Sequence, residues 1–418
     1  MARTHRHIAE GTPIMKHRVC MWSLPSQLVS LACALCLAAS PDAYASLKTD
    51  RAEKAEKAGK EIQTVLIGYA GPLSGMSSGV GKSMANAAQL AVDEANKRGL
   101  QIQGKSVQLQ LLLQDDRTNP RTAEFIARYL SKTGVVGVIG HWNSAASLAA
   151  APIYNAAGVI QISPATMSTL YTQQGNRATF RTIGNNSSAG SYTADYAVKV
   201  LQTRRILVVD DGTPFGRGFV EQFSRTAKEH GAQIVGTHTV SDKTSDFNPV
   251  LLDAVRLRPD AVLFGGLDLQ ASTLARAIKR RKLQTRFIGA SGTVGLPFLR
   301  AAGADGNGSI VVEPGLPMDK MPGWKNFEKN YMQKFDSNID LYAPFAYDAA
   351  QVLIAAMRQA NSVDPKKVAE ALHDIRFVGM TGTISFNHEG DLNNPTFTIY
   401  EVQDQSWVVR KIISGSVN

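Results

Sequence analysis

Strand and helix signals alternate along this chain, twice over, and that alternation limits its fold more than any other feature. The first series opens at 64–68 (TVLIG), a short apolar run of the kind a buried strand needs. Residues 84–97 then set Ala88, Leu90, Val92 and Ala95 at helical spacing and stop at Gly99. A strand over 107–113, a helix over 121–131 behind Asn119-Pro120, a strand over 135–140, a helix over 145–156 and a strand over 159–162 follow. The rhythm restarts at 205–210. It runs through a helix over 218–230, a strand over 233–237, a helix near 249–256, a strand over 261–264, a helix near 271–281 and a strand over 287–289. Such alternation builds parallel sheets from right-handed βαβ units. A closed barrel needs one unbroken series, and this one breaks at 180–191, so two lobes are expected. Beyond them, 324–335, 348–359 and 368–373 read as helices, and 383–386 and 397–402 as strands joined by the turn 387–391. Long helices after the second series imply a return to the first lobe. A chain that crosses between lobes more than once makes a hinge. The expected class is α/β, with two doubly wound parallel-sheet lobes.

The first 45 residues read as an address. Arg3, Arg6, Lys16 and Arg18 precede an apolar stretch over 28–39, and Ala43-Tyr44-Ala45 follows Asp42. That order is a secretory signal, and the stretch is shorter than the roughly 20 residues a membrane span requires. Cleavage after Ala45 and export to the periplasm are expected. Losing four Lys/Arg and two Asp/Glu lowers the formal net charge from +10 to +8. Cys20, Cys33 and Cys36 leave too, which excludes disulfides, thiol catalysis and cysteine-held metal from the exported form. Residues 46–61 are a charged, Ala-rich spacer with no apolar stripe.

Catalytic motifs are scarce. Residues 76–83 (MSSGVGKS) sit between a strand and a helix, but a nucleotide loop does not start with Met76. What remains is a Gly-rich turn whose backbone N–H groups can face a ligand. His141, His230, His238, His373 and His388 show no metal-ligand spacing, and no G-x-S-x-G elbow is present. Asp115-Asp116 and Asp210-Asp211 end strands, where open α/β sheets bind ligands; alternatively they cap the following loops. His141, at a strand end, either lines a cleft or holds structure. Arg276, Lys279, Arg280, Arg281, Lys282 and Arg286 lack interleaved aromatics and a recognised module, so they read as a solvated face and no nucleic-acid partner is expected. No enzyme activity and no cofactor are expected.

A resemblance adds to this reading. Residues 67–75 (IGYAGPLSG), 91–96 (AVDEAN), 114–116 (QDD), 138–140 (VIG), 162–166 (ISPAT) and 180–181 (FR) resemble the leucine/isoleucine/valine-binding family of type I periplasmic binding proteins. So do 215–218 (FGRG), 264–266 (FGG) and 342–349 (YAPFAYDA), and the likeness runs in order from about 62 to about 410. It implies two lobes joined by three hinge crossings, with lobe 1 at 62–183 plus 313–395 and lobe 2 at 184–312 plus 396–418. It also implies a small-molecule ligand trapped in the cleft and delivered by a monomer to an inner-membrane ATP-binding-cassette permease. Reporting to a membrane sensor is the alternative output.

The resemblance also implies a pocket. The family's carboxylate-holding serine falls on Ser144, beside Trp142 and Asn143. The segment offering backbone groups to the ligand falls on Ala165, Thr166 and Met167, with Met167 where the family has threonine unless Thr166 serves. The first-loop tyrosine falls on Val80, the second-lobe stacking aromatic on Phe215, and the aromatic after Gly-Gly on Leu267. The acid that pairs with the ligand's ammonium falls on Ser291, and Tyr342 falls on an aromatic that touches the ligand side chain. Val80, Leu267 and Ser291 depart from the family. An unpaired buried ammonium is costly, so either Asp268 supplies the missing charge or the ligand lacks an α-ammonium. On the second branch, leucine, isoleucine and valine bind more weakly than about 100 µM. Carboxylates or amides, including aromatic acids stacking on Trp142 or Phe215, then bind better.

Overall fold

The computed structural model describes residues 62–415. The expected signal segment, its cleavage after Ala45 and the whole spacer lie outside the described residues.

The first sheet has six strands: β1 (Gln63–Gly71), β2 (Leu100–Ile102), β3 (Lys105–Asp115), β4 (Gly137–Gly140), β5 (Ile160–Ser163) and β6 (Thr179–Arg181). Their order is β2-β3-β1-β4-β5-β6, and only the β2–β3 pairing is antiparallel. Helices α1 (Ser78–Arg98), α2 (Pro120–Leu130) and α3 (Ser144–Ala156) are its crossovers. Their starts are written locally. Asn119 Oδ1 accepts from Thr122 N–H with Pro120 at the first helical position, and Asn143 Oδ1 accepts from the N–H groups of Ala145 and Ala146.

The break expected at 180–191 holds more structure than the sequence reading gave it. Phe180 and Arg181 belong to the edge strand β6, and α4 (Asn186–Asp195) follows, capped by Asn185. The buried face of α4 is Asn186, Ala189, Gly190, Thr193 and Ala194, too small and polar to register as an apolar stripe.

The second sheet takes β7 (Arg205–Asp210), β8 (Gln233–Thr239), β9 (Ala261–Gly265), β10 (Arg286–Gly289) and β11 (Ile310–Pro314) in parallel. Its crossovers are α5 (Pro214–Glu229), α6 (Asn248–Leu257), α7 (Asp268–Arg280) and α8 (Leu296–Ala302). The chain then leaves for α9 (Trp324–Phe335), α10 (Ala343–Ala360) and α11 (Pro365–His373). Helix α10 packs on α1, where Ala346, Ala349 and Ala350 meet Ala87, Ala88 and Ala91 in one core, so the tail does return to the first lobe. A hairpin of β12 (Phe377–Val378) and β13 (Thr383–Ile384) follows. Last come β14 (Thr396–Gln403) and β15 (Ser406–Ser414), which join the second sheet antiparallel beside β11. The segments on either side of the turn 387–391 therefore belong to different sheets.

The backbone passes between the two sheets three times: after β6, after β11 and before β14. Gly184 in the first crossing lies so close to Phe397 and Pro395 that a Cβ would stand 2.5 Å from the Phe397 ring. Gly315 in the second has φ +84°, which favours glycine.

Candidate functional site

Parallel strands of both sheets end in loops that carry the predicted residues, as doubly wound sheets require. The loop after β4 carries 141–144 and the loop after β5 carries 165–167. Those after β9 and β10 carry Leu267-Asp268 and Ser291.

On the first-lobe side, polar groups are bound to one another. Fully buried His141 and Asp116 pair at 2.7 Å through Nδ1 and Oδ2, and Asp116 Oδ1 accepts from Thr118 N–H. The His141 carbonyl accepts from Ser163 Oγ (2.9 Å), Ser147 Oγ (3.3 Å) and Thr166 Oγ1 (3.4 Å). His141 is thus structural, and the carboxylates at both strand ends cap loops. Asp115 accepts from Leu73 N–H and Ser74 Oγ, Asp210 from Gly212 N–H and Thr239 Oγ1, and Asp211 from Thr213.

Ser144 is buried at the first position of α3, and its Oγ is 3.5 Å from Ser168 N–H. Neighbouring Asn143 uses its carbonyl oxygen as the helix cap. The Thr166 hydroxyl lies 2.5 Å from Ser147 Oγ, and its main-chain N–H donates to Ser163 Oγ, as does that of Ala165. The Met167 side chain is buried in the core under the second sheet, with Phe219 and Phe223. Neither side chain stands free. Val80, Trp142, Ala165 and Tyr342 all pack on the first-lobe core, whereas half-buried Phe215 packs on the second.

Leu267, Ser291 and Tyr342 come together. A Cβ placed on Gly292 would lie 3.1 Å from the Tyr342 hydroxyl and 3.3 Å from Leu267 Cδ2, so Tyr342 reaches from the first-lobe core to the second-lobe loops. Ser291 is fully buried and its Oγ has no hydrogen-bond partner. Its loop is moulded by Glu313, which accepts from the N–H groups of Gly292, Thr293 and Val294 at 2.8–3.0 Å. Burial pushes Glu313 up to about 8 against those three donors.

Asp340 was absent from the sequence reading. It lies two residues before Tyr342, whose N–H it accepts at 3.2 Å, and its own N–H donates to Ser83 Oγ. Burial pushes its carboxyl up to about 6, and the Asp268 charge adds to the rise. Burial also raises Asp268, and among the described residues no basic side chain acts on either acid. Burial, joined by Glu313, Asp340 and Asp268, drives Tyr342 far up, so its phenol stays protonated and can donate.

An open groove of about 870 Å³ lies elsewhere, on the flank of β7, β8 and α5, lined by Asp210, Arg217, Arg225 and Lys228 among others. It includes none of the pocket residues that the resemblance implies. Among the described residues no group of three His, Cys, Asp or Glu is placed to hold a metal, and no helix is long and apolar enough to cross a membrane.

The periplasmic binding protein family profile matches residues 64–406. The chain is 28% identical to a leucine-, isoleucine-, valine-, threonine- and alanine-binding protein of Pseudomonas aeruginosa, over 81% of this chain and 90% of that protein. It is 27% identical to Leu/Ile/Val-binding protein homolog 1 of Brucella melitensis, over the same shares. A leucine-binding protein of Thermotoga maritima superposes with a TM-score of 0.76 at 25% identity, covering 84% of this chain and 98% of that one.

Proposed function

The chain belongs to the periplasmic binding protein family, and we propose that it captures an α-amino acid between its lobes and delivers it to an inner-membrane ATP-binding-cassette permease. One observation carries this reading: among the described residues neither Asp268, which opens the second-lobe helix α7, nor Asp340, on the first-lobe side beside Tyr342, is paired with a basic side chain, and the Asp268 charge is felt at Asp340. The Asp268 charge raises Asp340, and a ligand ammonium entering beside them relieves that repulsion. Of the two branches left open by Ser291, this is the one in which Asp268 supplies the charge, and Asp340 adds a second acid. At the other end, Ser144 Oγ, at the positive end of α3, suits a carboxylate. The N-terminal address is read as routing the chain to the periplasm, where it works as a monomer.

Calorimetry with the amino acids named for the Pseudomonas relative tests this, set against 4-methylpentanoate and benzoate. At least one L-amino acid is expected to bind more tightly than about 10 µM, with the deaminated acids at least 100-fold weaker. Binding of 4-methylpentanoate or benzoate without any amino acid overturns the ammonium reading.

A further inference from the structure

Arg181, at the end of β6, is fully buried. A guanidinium in such a place is costly unless its donors are met. Nη1 donates to the carbonyls of Thr166 (2.7 Å) and Ser168 (2.9 Å), and Nη2 to Thr172 Oγ1 (2.8 Å). Nε lies 2.6 Å from Asp391 Oδ1, an ion pair without hydrogen-bond alignment. The guanidinium therefore shapes the main chain of the loop that carries Thr166 and Met167.

Asp391 extends the network beyond that loop. Its Oδ1 also accepts from Thr172 Oγ1 (2.9 Å), and its Oδ2 accepts from Asn185 Nδ2 (3.0 Å). Asn185 stands in the first crossing and caps α4 with its other amide atom. Asp391 stands at the head of the third crossing. The next residue, Asn186, donates its N–H to the Met167 carbonyl and its side-chain amide to the Phe215 carbonyl, both at 2.7 Å. One continuous set of bonds thus touches the first-lobe cleft loop, two crossings and the first turn of α5 in the second lobe. Holding the loop alone needs the Arg181 bonds but not the Asn185–Asp391 bond.

We propose that Arg181 and Asp391 are positioning residues that lock the 166–168 loop to two of the three crossings, so that the shape of the cleft wall and the angle between the lobes change together. This rests on the cleft being the binding site. Such coupling requires an element whose arrangement both regions bias, and the Asn185–Asp391 bond is that element.

The test measures the lobe–lobe distance in the ligand-free full chain. Spin labels go on cysteines placed at Arg128 on α2 and Glu229 on α5, with Cys20, Cys33 and Cys36 changed to Ser. Asn185→Ser is the decisive variant, because serine also caps helices but cannot reach Asp391. Asp391→Asn is the second. Both are expected to fold, by circular dichroism, and to widen the distance distribution at least twofold. A width equal to the parent's in Asn185→Ser overturns the proposal and leaves Arg181 a packing role, whatever Asp391→Asn does. No ligand enters this measurement, so its outcome is separate from that of the amino-acid panel.

Discussion

The polar side chains on the two sides of the candidate cleft are used differently. On the first-lobe side Asp116, His141, Ser147, Ser163 and Thr166 all bond one another or nearby backbone. Where the second-lobe loops meet Tyr342, Ser291 Oγ has no partner among the described residues, and the Asp268 charge acts on Asp340 with no basic side chain among the described residues offsetting either acid. A wall with its hydrogen bonds already made holds its shape before a ligand arrives. A site with unmet polar groups and like charges is completed by one. The difference teaches that shape is stored in one lobe and charge demand near the other.

That contrast can be broken or sharpened by measurement. The largest effect is expected for Asp116→Ala, which leaves His141 buried without its partner and costs about 3 kcal/mol of unfolding free energy. Urea denaturation measures it, and a loss under about 1 kcal/mol means the first-lobe wall is not held by this pair. Next, Asp268→Asn combined with Asp340→Asn should weaken binding of the best amino acid in the panel about 100-fold, about 2.7 kcal/mol, while stability changes little. Unchanged affinity by calorimetry moves the ammonium elsewhere. Ser144→Ala follows, at about 2 kcal/mol of binding energy, the scale of a hydrogen bond to a charged group. An intact fold with unaltered affinity removes the carboxylate from that end.

The smallest effect concerns pH. Asp340 is raised to about 6 in the ligand-free protein, so below that pH an ammonium must displace a proton in order to bind. Affinity for the amino acid should therefore rise about tenfold from pH 5 to pH 7. Asp340→Asn should flatten the profile. A slope that survives in Asp340→Asn assigns the titration to another group.

Much of the fold was legible because buried parallel strands are short apolar runs and their crossover helices carry stripes. The runs at 205–210 and 261–264 show it, as do the helices at 145–156 and 324–335. Helix α4 was not legible, since its inner face is Asn186, Ala189, Gly190 and Thr193. Strand β11 also escaped notice; its Ile310–Val312 core is continued by Glu313, a residue that makes sense only once the loop it clamps is seen. In the candidate site, Ser144 and Tyr342 are proposed from their position in a family pattern, and Asp340 was not proposed because an acid in a loop carries no signal of its partners.

The sequence by itself determined the class of fold, the return of the tail to the first lobe and the residue types available at each strand end. Periodicity and glycine placement are local properties, written within a few residues of where they act. Only the tertiary structure decided that Met167 turns into the second core and that His141 is tied to Asp116. It alone brought the charge of Asp268 within reach of Asp340, though 72 positions of chain separate them. Burial and charge pairing depend on what the folded chain brings within a few ångströms, and spacing along the sequence does not carry that information.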